Sequence, residues 1–129
     1  MRAGGAAMSG DSAPRLLDVA VRANDGTAIV TVQGEVDMAS APQLQAALED
    51  AQRGGDPLVV DMSEVGFLGS AGLSVLLVIS EAAAPGAGLR VVVSDAVRRP
   101  IELTGLDKLL SVHESLADAL AAGVNPAAS

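Results

Sequence analysis

A chain of 129 residues, half of them apolar, is long enough to bury one core and short for two. Its formal charge of −8, sixteen carboxylates against eight cations, leaves Arg98-Arg99 as the only adjacent basic pair, so the clustered cations that displace counterions from a nucleic acid are missing. There is no cysteine, one histidine (His113) and one aromatic residue (Phe67), which excludes disulfides, thiolate zinc centres, multi-histidine metal sites and an aromatic platform for single strands.

Met1 to Pro14 is Gly, Ala and Ser without periodicity and reads as a disordered arm; 15–124 reads as one folded domain and 125–129 as a flexible tail. Leu16–Val21 and Ala28–Gln33 are β-prone runs split by Asn24-Asp25-Gly26, a strong hairpin signal. Gly34-Glu35-Val36-Asp37 leaves the second strand. Ser40, with Pro42 in the helix's first turn and Gln43 three residues on, predicts a capping box and a helix whose apolar face is Leu44, Ala47, Leu48 and Ala51, ending near Gly54-Gly55.

Leu58-Val59-Val60-Asp61-Met62 has the continuous apolar character of a strand covered on both faces. A loop then carries the chain to Ser70, where a helix is predicted as far as about Ala84, before Pro85-Gly86. Leu89–Ser94 reads as a further strand, Pro100–Leu103 as a brief helix stopped by Gly105, and Leu109–His113 as an edge strand. Ser115–Ala122 reads as a last helix with Asp118 at the capping-box position. The order ββαβαβα(β)α predicts an α/β domain: a mixed, mostly parallel sheet of four to five strands that starts with a hairpin, flanked by about four helices. In such sheets the working loops lie beyond the carboxyl ends of the strands, and Gly34–Asp37 and Val65–Ser70, both following strands, are expected to share one end.

The longest strongly apolar stretch, Val75–Ile79, is too short to span a bilayer, and no apolar h-region follows Arg2. The expectation is a cytoplasmic protein with no membrane association, and its acidic surface favours a protein partner with a basic docking face.

Ser70 can be read as a helix cap, worth roughly 1 kcal/mol over alanine, or as a modifiable hydroxyl. Gly66, Gly69 and Gly72 leave it little steric cover, and Phe67 and Leu68 beside it serve either the core or an apolar contact patch. The segment lacks the lysine of a Walker A loop and the spacing of a dinucleotide fingerprint. Leu68 stands where a hydrolase elbow requires glycine. No catalytic role of its own follows, and no cofactor or metal is implied. Asp37 reads equally as a turn acid or a site acid; Glu35 reads as a loop charge, Arg98 and Arg99 as solvating a short helix or neutralising nearby carboxylates, and His113 as exposed at a strand end.

The stretch Val59-Val60-Asp61-Met62-Ser63-x-Val65-x-Phe67-Leu68-x-Ser70-x-Gly72-Leu73 resembles the signature of STAS-domain anti-sigma factor antagonists. Gly34-Glu35-Val36-Asp37 is similar to the family's other functional segment, and Arg99-Pro100-Ile101-x-Leu103-Thr104-Gly105-Leu106 to its late short helix. The likeness runs from about Leu16 to Leu120. It implies a protein that binds an anti-sigma factor, itself a serine kinase of the GHKL type, and so frees a sigma factor. The kinase would phosphorylate Ser70 and end the complex, and a PP2C-type phosphatase would reverse this. The resemblance puts Asp37, Phe67, Leu68, Gly69, Ala71 and Gly72 at the partner-binding site; many members have Asp where this chain has Gly69. Ser63 and Ser74 match no acceptor position. Two further roles known for the fold are nucleotide or small-ligand sensing without a phospho-switch and service as the cytosolic part of an anion transporter.

Overall fold

The computed structural model describes residues 17–82 and 89–124. The expectations for 1–14, for Leu16, for the end of the second helix near Ala84 and Pro85-Gly86, and for 125–129 lie outside the described residues. Asp18–Asn24 (β1) and Thr27–Val36 (β2) pair antiparallel, with Asn24 opposite Thr27. Asp25 and Gly26 between them both have positive φ, 51° and 81°, as a type I′ turn requires. The hairpin is as predicted. Its strands run beyond the apolar runs that signalled them, because pairing continues through polar residues such as Arg22 and Asn24.

Ala41–Arg53 (α1) buries Ala41, Leu44 and Leu48 and ends at Gly54. Leu58–Leu68 (β3) then departs from expectation: it is eleven residues long, and the loop expected after Met62 is strand. The register explains why the pattern was hidden. Thr31 lies opposite Asp61, Gln33 opposite Glu64 and Glu35 opposite Phe67, so β3 carries one extra residue at each of two bulges. A bulge twists and bends the strand without ending it. Past Met62 the buried positions are therefore Val65 and Leu68, every third residue, and no two-residue alternation survives to be read.

Ser70–Ala82 (α2) buries Gly72, Val75, Leu76 and Ile79. Leu89–Val93 (β4) is buried at all five positions. The next helix, Asp95–Thr104 (α3), is also longer than the predicted Pro100–Leu103. Ser94, expected at the end of a strand, caps it instead: its hydroxyl accepts from Val97 N–H at 3.2 Å and donates to the Val65 carbonyl at 2.7 Å. Pro100 lies inside the helix, where its missing N–H removes one rung. Buried Val97 and Ile101, one turn apart, and the left-handed Gly105 at the end hold the helix despite it. A short 3-10 turn, Leu106–Lys108, leads to Leu110–His113 (β5) and Leu116–Val124 (α4).

The five strands lie in the order β1-β2-β3-β4-β5, antiparallel at the hairpin and parallel thereafter. One face carries the main core, in which Val30, Val60 and Val91 meet residues of α1, α2 and α3. On the other, Val59 and Val92 pack under Ala119, Leu116 and Leu120 of α4. The central strands are thus covered on both sides, as the apolar run 58–62 indicated. Arg90 on the α4 side is 7% exposed, and its Nη1 donates to the Ala119 carbonyl at 2.9 Å. Burial lowers its pKa from the usual arginine value.

β5 is the predicted edge strand. His113 on it is half-buried rather than exposed, hydrogen-bonded to the Ser111 hydroxyl at 2.9 Å. Arg98 pairs with Glu114 at 2.8 Å. Among the described residues no helix is long and apolar enough to cross a membrane.

Candidate functional site

The carboxyl ends of β2 and β3 are locked together. Gly34, Glu35 and Val36 pair with Val65, Phe67 and Leu68, and the Gly69 N–H donates to the Val36 carbonyl at 2.9 Å. The two segments singled out in the sequence therefore meet, as strand ends rather than as the loops expected. Gly69 is the single residue between β3 and α2. Its carbonyl accepts the first helical hydrogen bond, from Leu73 N–H at 3.1 Å, so Gly69 occupies the cap position and Ser70 the first helical one. The helix thus begins one residue earlier than a capping Ser70 would need. Ser70 is exposed, and its hydroxyl has no hydrogen-bond partner among the described residues.

The start of α2 is a favourable place for an anion. The first amides of a helix have no partners within it, and the first turn of α2 has no acidic residue to neutralise their partial positive charge. Close packing fixes that turn from below. A Cβ on Gly72 would stand 2.5 Å from both Leu68 Cδ1 and Val36 Cγ1. Glycine is thus required for α2 to lie this close to β2 and β3. On Gly69, a Cβ would meet the Phe67 ring at 3.1 Å, so the ring lies beside the residue that precedes Ser70.

The turn from β2 into α1 forms the other wall. Asp37 Oδ1 accepts from the N–H groups of Ala39 and Ser40, each at 3.0 Å. Ser40 is 2% exposed and does not cap α1 with its side chain. Its hydroxyl turns back, accepting from Asp37 N–H at 3.0 Å and lying 2.9 Å from the Glu35 carbonyl and 3.1 Å from Asp37 Oδ1. The expected capping box with Gln43 is absent because Gln43 bonds elsewhere, to the Leu17 carbonyl at 2.8 Å. The hydrogen bonds from Ser40, backbone first and then side chain, hold the Asp37 carboxyl below its usual range.

Of the residues expected at a partner surface, Asp37 is exposed and Phe67 is 49% exposed. Gly69 and Ala71 are half-buried. Leu68 and Gly72 are buried and shape the site from beneath, since the three-residue spacing that turns Phe67 outward turns Leu68 into the core. Ser63 bonds the Asp61 carboxylate at 2.7 Å, and Ser74 is exposed one turn beyond Ser70. Sequence reasoning missed Met38, which is 83% exposed in the Asp37–Ser40 turn; its one signal was an apolar residue inside an otherwise polar and small connection.

The STAS domain family model matches residues 18–119. Over 111 residues the chain is 40% identical to the anti-sigma-F factor antagonist RsfB of Mycobacterium tuberculosis, a match covering 84% of this chain and 91% of the relative. The crystal structure of an anti-sigma factor antagonist from Mycobacterium paratuberculosis matches with a TM-score of 0.80 and 43% identity, over 86% of this chain and 97% of that one. The Bacillus cell fate determinant SpoIIAA, in its phosphorylated form, shares the fold with a TM-score of 0.58 at 17% identity, over 80% of this chain and 96% of that one. Hairpin-led sheet, serine-headed helix and close relatives agree: the chain belongs to the STAS domain family, among its anti-sigma factor antagonists.

Proposed function

We propose that this protein binds an anti-sigma factor of the GHKL serine-kinase type at the shared end of β2, β3 and α2, releasing a sigma factor in the cytoplasm. Phosphorylation of Ser70 by that kinase ends the complex, and a PP2C-type phosphatase restores it. The protein is then a substrate of the chemistry, with no catalytic residue of its own. The observation that carries this reading is the Ser70 hydroxyl, exposed on the first residue of α2, with exposed Phe67 three residues before it and exposed Met38 in the turn after the strand that pairs with β3. The phosphorylated SpoIIAA shows that the same fold accommodates the modification in another protein.

The energetics favour such a switch. A phosphate adds about −1.5 to −2 charges, and at a helix N-terminus it gains roughly 0.3–1 kcal/mol from the dipole, so the fold is spared. Desolvating it unpaired inside an interface costs about 2–5 kcal/mol, roughly 30-fold to several thousandfold in affinity. The complex carries that penalty and the domain does not.

The test is incubation with the host's purified serine-kinase anti-sigma factors and ATP, followed by mass spectrometry and a pull-down. One phosphate should appear on wild type and none on Ser70→Ala, and both the phosphoform and Ser70→Glu should lose the partner. Undiminished binding of the phosphoform, or incorporation retained by Ser70→Ala, overturns the reading.

A further inference from the structure

We propose that Met38 is the principal apolar contact through which this protein grips its anti-sigma factor, and that the Asp37–Ser40 turn exists to present it. This rests on the function proposed above. Met38 is the most exposed large apolar residue among those described, at 83%, so it contributes little burial to the fold. Yet the backbone on either side of it is tied with unusual thoroughness. Asp37 N–H donates to the Ser40 hydroxyl, Ala39 N–H and Ser40 N–H donate to the Asp37 carboxylate, and Ser40 N–H and Ala41 N–H reach the Asp37 carbonyl at 3.2 and 2.8 Å. Ser40 itself is buried beneath the turn.

A turn held rigid around a side chain that the fold does not use is a preorganised contact, for which the ordering cost is met before the partner arrives. Its position fits the switch. Val36, two residues before Met38, accepts the Gly69 amide, and Ser70 follows Gly69, so the turn and the head of α2 are joined as one piece. Phe67, paired with Glu35 on the neighbouring strand, is the second exposed apolar side chain of this end. Met38 thus lies in the turn just past the end of β2, and Phe67 stands near the end of the paired β3, which leads into Ser70. The thioether chain is unbranched and adapts to an apolar groove, and the chain's charge of −8 fits a groove with a basic rim.

The experiment immobilises each of the host's purified serine-kinase anti-sigma factors in turn and measures binding of wild type, Met38→Ala, Met38→Gln, Met38→Leu and Ser70→Glu. Met38→Ala and the near-isosteric Met38→Gln should each weaken binding by about tenfold or more, while Met38→Leu stays within a few-fold of wild type. Thermal melts of all three Met38 variants should match wild type, because the residue is exposed. If Met38→Ala and Met38→Gln bind within twofold of wild type while Ser70→Glu loses the partner, the contact role is overturned and the switch stands. If wild type binds none of these kinases, the functional reading fails and takes this one with it.

Discussion

Adding one methyl group at Gly72 tests the packing that sets the position of Ser70. The new Cβ would lie 2.5 Å from Leu68 Cδ1 and from Val36 Cγ1, and 3.3 Å from Val36 Cβ. Leu68 presents the end of a rotatable chain and can yield. Val36 cannot do so easily: it is fully buried, its χ1 is stiff, and turning it leaves its own Cβ in place. Overpacking of this kind costs about 1–3 kcal/mol, against a gain of about 1 kcal/mol from replacing helical glycine with alanine. Gly72→Ala should therefore destabilise by about 1 kcal/mol, roughly 4 °C in Tm for a domain of this size.

The diagnostic measurement is the same substitution in a Val36→Ala background. Val36→Ala alone empties a buried site and costs about 2 kcal/mol. With Cγ1 gone, Gly72→Ala should become neutral or stabilising by up to about 1 kcal/mol, a coupling of about 1–2 kcal/mol between the two sites. Urea unfolding followed by far-ultraviolet circular dichroism gives all four free energies. A Gly72→Ala variant that is more stable than wild type with Val36 intact would refute the reasoning, since the helix would then have room at its base. Because Val36 also accepts the Gly69 amide, moving α2 outward displaces Ser70, and the variant should be phosphorylated more slowly.

Two further outcomes follow from the charges. The hydrogen bonds that lower the Asp37 pKa contribute stability that is fully present above the unfolded-state value, about 3.9, and lost as pH falls through the lower folded value. Asp37→Asn should be less stable than wild type at neutral pH, with the gap closing below about pH 4 in urea titrations; a gap independent of pH would show that the charge is immaterial. Arg90→Ala removes the bond to the Ala119 carbonyl and the packing of the arginine stem, at a cost of about 1.5–3 kcal/mol. Hydrogen exchange should then show α4 opening more readily than α1 and α2, and uniform loosening would argue against a local anchor.

How much of this was legible depended on whether a signal was local. The Asp25-Gly26 turn, the apolar face of α1 and the doubly covered strand at 58–62 are short-range patterns, and the structure keeps all three. The second half of β3 and the first half of α3 are not short-range. The former is strand because β2 supplies its hydrogen-bond partners across two bulges, and the latter is helix because Ser94 is anchored to the Val65 carbonyl, 29 residues away in sequence. Pro100 suggested a helix start, and only packing of Val97 and Ile101 reveals it as an interior residue.

The sequence by itself determined the class of the domain, the order of its elements and the serine at the head of α2, since these rest on periodicity, turn chemistry and a motif carried by contiguous residues. Only the tertiary structure decided what that serine is. A register set by two bulges carries β3 to Leu68, gives the Gly69 amide to Val36 and leaves Ser70 on the first helical residue with its hydroxyl exposed. The same register turns Phe67 outward and Leu68 inward, and the buried Ser40 hydroxyl fixes the turn that exposes Met38. These are relations between residues distant in the chain, settled by which backbone groups find partners and which side chains find room.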